Sequence, residues 1–160
     1  MLPFSFRPGA RKTHKILSEL LPLKTFEIPS GTQVLDWTIP PEWICREAYI
    51  LDPTGKRICD IDEHKLHIMN YSIPFRGKIS LAKLQEHLTS IEDMPDALPY
   101  VTSYYSRKWG FSITQNQRSN LVDGTYEVVI DSELKEDGSL TISEALLPGQ
   151  VGRNSARLRT

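Results

Sequence analysis

The sequence predicts an α+β fold that is mostly antiparallel β structure with about two short helices. Short apolar runs alternate with proline- and glycine-containing turns along the chain, which is typical of antiparallel strands. Two segments instead show the apolar spacing of an amphipathic helix. A chain of 160 residues with 39% hydrophobic residues is long enough for a domain with its own core.

The first helix is predicted over residues 10–21, where an apolar stripe is followed by Pro22. The second is predicted to begin at Ser80 as N-cap, with Leu81, Leu84 and Leu88 on one face. Strands are predicted at residues 25–28, 33–38, 48–51, 57–61, 66–73, 109–114, 125–131 and 140–147. Asp137-Gly138 predicts a hairpin that joins the last two strands.

Composition excludes several classes of protein. A net charge of −1 argues against a general nucleic-acid binder. No apolar run approaches the length of a membrane span, and the N-terminus lacks the apolar stretch of a signal peptide, so no membrane partner and a cytoplasmic location are expected. Cys45 and Cys59 stand apart and are expected to be reduced. Residues 150–160 carry three arginines and no acid, which predicts a basic unstructured tail.

The best metal candidate is the segment that contains Asp60, Asp62, His64 and His67. These side chains are chemically sufficient for zinc. If the segment is helical the two histidines share a face, whereas in an extended strand they point to opposite faces. A solvated turn with one packed histidine is the preferred interpretation. No nucleophile motif is present, and nothing selects Ser103 or Ser106 as a partner of His87.

The segment from Tyr100 to Phe111 packs five aromatics and two cations into twelve positions. Tyrosine and tryptophan combine a large apolar area with a polar tip, and an arginine can hold a carboxylate through two hydrogen bonds. Tyr104, Tyr105, Arg107 and Trp109 are therefore the candidate substrate-binding residues. The alternative is that the rings pack in a core while the cations lie on a solvated face.

Several runs together resemble one family. They include Phe26 to Thr32, Val34 to Trp43, Asn70 to Pro74, Pro99 to Phe111, Asp123 to Val128, Asp137 to Leu140 and Leu147 to Gly149. They look like the N-terminal part of the bacterial aminopeptidase-like proteins of unknown function, also described as polysaccharide-biosynthesis proteins with an aminopeptidase-like domain.

The resemblance implies an α/β peptidase domain with zinc-dependent peptide or amide hydrolysis, interrupted by a β-rich inserted domain. Residues 1–24 would be an N-terminal helix of an incomplete peptidase domain and residues 25–132 the inserted accessory domain. Residues 133–149 would be a hairpin that returns to the peptidase domain, before the tail at 150–160. The family's metal-binding run has no match in Val151 to Thr160, so zinc is implied for the full-length family and no cofactor for this chain.

The favoured hypothesis is a truncated aminopeptidase-like protein that keeps the accessory domain and is inactive alone, with a peptide or amino-acid-derived ligand. The main alternative is a stand-alone binding or oligomerisation module, which could be a homo-oligomer, with an aromatic ligand face. Two further alternatives are an independent metalloenzyme that uses Asp60, Asp62, His64 and His67, and a fragment without function.

Overall fold

A computed structural model of the protein describes residues 8–148 and 155–159. The chain divides into two compact units, the first formed by Met1–Ile44 with Leu134–Thr160 and the second by Cys45–Glu133. Most strand pairs are antiparallel, and the described residues include three short α-helices. The predicted α+β class is therefore confirmed.

The elements are numbered in chain order. The helices are α1 (Pro8–Ser18), α2 (Leu81–Gln85) and α3 (Gln115–Ser119), and a 3-10 turn covers Lys65–His67. The strands are β1 (Lys24–Pro29), β2 (Gln33–Val34), β3 (Trp37–Thr38), β4 (Glu42–Leu51), β5 (Arg57–Ile58), β6 (Phe75–Ser80), β7 (Leu88–Thr89), β8 (Phe111–Ser112), β9 (Thr125–Lys135), β10 (Ser139–Pro148) and β11 (Ser155–Arg159).

The first unit contains a three-stranded antiparallel sheet with β10 between β1 and β11. Phe26 lies opposite Ile142 in this sheet, so the two side chains share a face. Strands β2 and β3 form a separate two-stranded ribbon whose tip is Leu35-Asp36. Leu35 is 94% exposed and has a φ of 55°, a backbone conformation that is unfavourable for a branched apolar residue.

The second unit is built on a four-stranded sheet with the order β5-β4-β9-β6. Strand β9 supplies much of its core, since Tyr126, Val128, Val129 and Ile130 are all buried. Helix α2 begins where predicted, because the Ser80 side chain accepts a hydrogen bond from the main-chain N–H of Lys83. Strands β7 and β8 pair in parallel and place Leu88 beside Phe111.

The structure corrects three local predictions. Residues 66–73 are not a strand: the 3-10 turn at Lys65–His67 begins this segment, and the strand follows Pro74 as β6. Asp137-Gly138 does form a turn, with the Gly138 N–H bonded to the Lys135 carbonyl at 3.2 Å. The strands on either side of that turn enter different sheets, however, because β10 pairs with β1 and not with β9. The hairpin prediction is therefore wrong.

The third correction concerns the C-terminal residues, predicted to be an unstructured tail over 150–160. Residues Ser155–Arg159 form strand β11, which pairs with the free edge of β10. Charged residues are common on edge strands, so an arginine-rich composition does not distinguish a strand from a tail. Residues 149–154 and 160 lie outside the described residues.

The second compact unit begins at Cys45, whereas the inserted domain was expected to begin at residue 25.

Candidate functional site

The four candidate zinc ligands are used in other interactions. Asp60 accepts hydrogen bonds from the Arg57 guanidinium at 3.2 Å and from the main-chain N–H of Asp62 at 2.9 Å. The Asp62 side chain is exposed and pairs with Lys65 at 3.3 Å. Both carboxylates therefore stabilise the turn that contains them.

The two histidines point to different surroundings. His67 is buried and its Nδ1–H donates to the Ser112 carbonyl at 2.9 Å. His64 is exposed, and its Nδ1 accepts from the main-chain N–H of Leu66 at 3.1 Å. The ring centroids are 6.2 Å apart and nearly perpendicular. This agrees with the expected solvated turn with one packed histidine.

A structural or catalytic zinc needs three or four protein donors around one point. Among the residues that the structure describes, no group of three or more His, Cys, Asp or Glu side chains could hold a metal ion. The side chains at Asp60, Asp62, His64 and His67 thus do not fit the zinc that the family resemblance implies for the full-length protein.

The remaining nucleophile candidates also have other partners. The Ser103 hydroxyl is buried and donates to the Asn70 carbonyl at 3.2 Å. The His87 Nδ1–H donates to the Trp109 carbonyl at 3.1 Å, and its ring stacks on the Trp109 indole. Burial raises the pKa of the Cys59 thiol to about 12, so this cysteine stays protonated and unreactive at neutral pH.

Trp109 belongs to the core of the second unit and not to its surface. The indole is 8% exposed and lies between two rings, with centroid distances of 4.4 Å to Phe75 and 3.6 Å to His87. Gly110 permits this packing, because an added Cβ there would lie 2.9 Å from the His87 carbonyl oxygen and 3.0 Å from Met69 Cε. A ligand therefore cannot reach the flat faces of this tryptophan.

Tyr104 and Tyr105, by contrast, form a row of rings that leads from the interior to solvent. Tyr71 is buried and meets Tyr104 edge to face at a centroid distance of 4.9 Å. Tyr104 meets Tyr105 in the same way, also at 4.9 Å, and Tyr105 is 88% exposed. Edge-to-face contacts of this kind stabilise aromatic pairs by about 0.5–1.5 kcal/mol. We call the segment 100–110, which carries the two outer rings, the tyrosine loop.

The tyrosine loop is fastened to residues 69–73 by main-chain hydrogen bonds at both ends. On one side, Asn70 donates to Val101 at 2.9 Å and Ser103 donates to Asn70 at 2.8 Å. Near the other end, Met69 donates to Gly110 at 3.0 Å, and a further bond of 3.2 Å joins the Ile73 N–H to the Lys108 carbonyl. The buried Ser103 hydroxyl adds a bond to Asn70 from within the loop. These bonds anchor the main chain of the loop on both sides of the two outer tyrosines.

Tyr71 adopts a φ of 65°, although a bulky residue rarely enters the left-handed region. Such a conformation costs about 1–3 kcal/mol and persists where the surrounding structure enforces it. Sequence reasoning did not single out Tyr71, and no local signal could have found it, since left-handed backbone usually selects glycine or asparagine. Arg107 and Lys108 are exposed on the same loop as the outer tyrosines.

The first unit contains a cluster of charged side chains around Arg11. Arg11 donates from both terminal nitrogens to the Glu42 carboxylate, at 2.7 and 3.0 Å, and also lies 3.5 Å from Glu27. The hydrogen bond to Glu42 raises the pKa of the Arg11 guanidinium. An added Cβ at Gly138 would lie 2.3 Å from the Glu42 Cβ, so Gly138 leaves the space that this buried carboxylate occupies.

Beside that cluster, the buried His14 Nδ1 lies 2.6 Å from the Ser143 hydroxyl, which in turn contacts the Thr25 hydroxyl at 2.9 Å. Ser143 is only 1% exposed, so no substrate could reach this hydroxyl. The cluster satisfies buried polar groups beneath helix α1 and is structural. The tyrosine loop is therefore the better candidate site.

As to membranes, none of the helices in the described part of the chain is long and apolar enough to cross one.

Three comparisons relate the chain to known proteins. The family model of a domain of unknown function, DUF2172, matches residues 42–133, more than half of the chain. A Clostridium acetobutylicum protein, named as a candidate polysaccharide biosynthesis protein with an aminopeptidase-like domain, is 46% identical over 143 residues. That match covers 89% of this chain and 33% of the relative, so the chain spans about a third of the relative's length.

A crystal structure of a candidate peptidase from the same species has a TM-score of 0.83 with this chain at 44% identity. It covers 91% of this chain, which corresponds to 34% of the peptidase chain. These matches confirm the resemblance to aminopeptidase-like proteins that the sequence motifs indicated. The chain belongs to the DUF2172 family.

Proposed function

We propose that this chain is the β-rich accessory part of an aminopeptidase-like protein, and that it presents a ligand-binding surface without hydrolysing peptides itself. Its support is the match to proteins named aminopeptidase-like or peptidase over about a third of their length. Zinc-dependent hydrolysis of peptides or amides is proposed for the complete proteins of the family, not for the residues described here.

Peptide hydrolysis by a zinc enzyme needs a metal-bound water and a carboxylate that acts as base. In residues 8–148 and 155–159 the side chains do not form a metal-binding group. The best local candidates, His64 and His67, are engaged by main-chain partners and lie edge to face. This supports a role in which the chain contributes binding while another part of the protein carries out the chemistry.

The observation that carries a binding role is the tyrosine loop. An exposed ring such as Tyr105 adds little to folding, because solvent covers most of it, and it contacts Tyr104 edge to face. A tyrosine side chain has few rotatable bonds, so it binds a ligand at a low cost in conformational entropy. We propose peptides or saccharides as the ligand classes, since the matched proteins are named for a peptidase and for polysaccharide biosynthesis.

An activity assay tests the accessory role. The purified chain, supplied with zinc, is incubated with a set of amino-acid p-nitroanilides beside a commercial zinc aminopeptidase. The proposal expects release of p-nitroaniline by the aminopeptidase alone. Hydrolysis by this chain that stops on addition of a chelator, and that is lost in a variant with His64→Ala and His67→Ala, would favour the independent metalloenzyme instead.

A stand-alone assembly module is the second candidate function. It is favoured by exposed apolar side chains in the first unit, where Leu35 is 94% exposed and Leu146 is 60% exposed. Size-exclusion chromatography with light scattering tests this version. A molar mass equal to that of a single chain over a wide range of concentrations would reject the assembly module, and a stable dimer or higher oligomer would support it.

A further inference from the structure

We propose that strand β6 docks an extended peptide segment that carries acidic side chains at alternate positions. The docked segment adds a strand to the open edge of the four-stranded sheet in the second unit. This surface is separate from the tyrosine loop, so it goes beyond the binding role proposed above.

The four-stranded sheet ends at β6, which pairs with β9 along its whole length from Phe75 to Ser80. In the part of the chain that the structure describes, no strand pairs with the other side of β6, and residues 75–79 make no further main-chain hydrogen bond. Proline is absent from β6, so every residue of the strand keeps its N–H. The outward main-chain groups are therefore available to an added strand.

Arg76 and Lys78 give this edge a positive charge. Both side chains are exposed, since exposure alternates along β6. Residues 71–85 contain these two cations and Lys83 but no aspartate or glutamate, although the whole chain has a net charge of −1. Lys78 lies opposite Glu127 on β9, yet neither Arg76 nor Lys78 forms an ion pair with another described residue. The two cations are therefore open to a ligand.

The spacing of these cations defines the ligand. Residues two apart in a strand lie on the same face, about 6.5–7 Å from each other. An extended peptide has the same repeat, so carboxylates on alternate residues of an added strand can lie beside Arg76 and Lys78 together. Opposite charges on neighbouring strands stabilise the pairing. A saccharide has no ladder of N–H and C=O groups, so the open edge selects a peptide.

A second copy of β6 fits this edge less well than an acidic strand. Antiparallel pairing of two copies centred on Gly77 would place Arg76 of each copy opposite Lys78 of the other. Like charges directly opposite each other destabilise a pair of strands, and cations on edge strands commonly prevent self-association. The same charges attract an acidic segment, which is therefore the occupant that we assign to this edge.

Isothermal titration calorimetry with two capped hexapeptides tests the role of charge. One peptide alternates threonine with glutamate, and the other alternates threonine with glutamine and so keeps the length and shape. We expect the glutamate peptide to bind about tenfold more tightly at low ionic strength, because the glutamine peptide cannot form the two exposed ion pairs. Added salt should weaken the binding of the glutamate peptide.

Solvent exchange of amide protons, measured by NMR, tests whether the peptide adds a strand. The outward amides of β6 exchange freely in the unbound chain, and a peptide strand would bond to them. With the glutamate peptide at ten times its Kd, exchange at alternate residues between Phe75 and Ser80 should slow by about tenfold.

Matched double variants locate the surface. Arg76→Gln combined with Lys78→Gln should weaken binding of the glutamate peptide by about tenfold. Lys56→Gln combined with Lys65→Gln removes the same charge from exposed positions outside β6, so this variant should bind like the unaltered chain. Circular dichroism melts of both variants show whether they are folded.

Any one of several results would overturn the inference. With the peptides, these are equal binding of the two, no binding at millimolar concentration, and unchanged amide exchange across residues 75–80. With the variants, they are full binding after loss of Arg76 and Lys78, and an equal loss of binding in the control variant. None of these results affects the proposed accessory role, because that role fails only if the chain itself hydrolyses p-nitroanilides.

Discussion

The indole of Trp109 lies parallel to the imidazole of His87, with a centroid distance of 3.6 Å and an angle of 8° between the rings. Phe75 covers the other side of the indole, so Trp109 fills the interior of the second unit. Trp109→Ala should lower the free energy of unfolding by about 3–5 kcal/mol, because it removes a large buried ring and leaves a cavity.

Urea denaturation followed by far-UV circular dichroism measures this change. Tyr105→Ala is the matched control, since Tyr105 lies in the same loop and its side chain is 88% exposed. The free energy of unfolding of this variant should stay close to that of the unaltered chain. If Trp109→Ala unfolded at the same urea concentration as Tyr105→Ala, the indole would not be a core residue.

Removal of Arg11 should destabilise the first unit, because Glu42 would be left as a buried charge without its bidentate partner. The Glu42 side chain is 6% exposed and that of Arg11 is 37% exposed, so water screens the pair only partly. We expect Arg11→Ala to lower the free energy of unfolding by about 2–3 kcal/mol. Arg46→Ala is the control, since Arg46 pairs with Asp131 and Glu133 in the open, and it should have little effect. Equal losses in the two variants, measured by thermal melts, would contradict this interpretation.

Leu35→Asn should stabilise the chain. Leu35 has a φ of 55° and is 94% exposed, so the substitution relieves backbone strain and removes little buried area. The gain should be about 1 kcal/mol. Leu20→Asn makes the same chemical change at a position that is 78% exposed, and Leu20 is not among the non-glycine residues with a positive φ. Differential scanning calorimetry should show a higher Tm for Leu35→Asn alone, and a lower Tm would mean that Leu35 makes a stabilising contact.

The Cys59 thiol should contribute a pH-dependent part of stability. Burial raises its pKa from the ordinary value of 9.0 to about 12 in the folded chain. A group whose pKa is higher in the folded chain than in the unfolded chain stabilises the folded state fully at a pH below its unfolded pKa. This stabilisation is lost as the pH rises toward its folded pKa. The free energy of unfolding should therefore fall between about pH 9 and pH 12, and Cys59→Ala should make that fall shallower.

Thiol labelling checks the same burial directly. At pH 8 the folded Cys45→Ser variant should not react with Ellman's reagent, whereas the same variant in guanidinium chloride should release one equivalent. Rapid reaction of the folded variant would show that Cys59 is accessible.

Local signals in the sequence predicted the elements whose pattern is complete within one segment. Helix α2 has its cap at Ser80, and the first half of β9 alternates buried Tyr126 and Val128 with more exposed residues, so each element could be predicted from its own segment. The pairing of strands could not be predicted from one segment. The turn at Gly138 forms as predicted, yet β10 pairs with β1, since the choice of partner depends on residues far along the chain.

The candidate site was predicted only in part for the same reason. Composition drew attention to the aromatic segment, but it could not show that Trp109 is stacked on His87 while Tyr105 is exposed. The support from Tyr71 comes from a segment about thirty residues earlier in the chain and depends on an unusual backbone angle. Similarly, no pattern in the sequence predicted that Glu42 pairs with Arg11.

We propose that the tyrosine loop, and not the segment around His64, is the site at which this chain binds a ligand. Chemical-shift mapping of the ¹⁵N-labelled chain, with a tripeptide, a tetrasaccharide and zinc added in separate titrations, tests this directly. We expect the tripeptide or the tetrasaccharide to shift amide signals of residues 100–110 in a saturable manner, and zinc to leave residues 60–67 unchanged at stoichiometric concentration. Saturable shifts at residues 60–67 with zinc, and none in the tyrosine loop with either the tripeptide or the tetrasaccharide, would contradict the proposal.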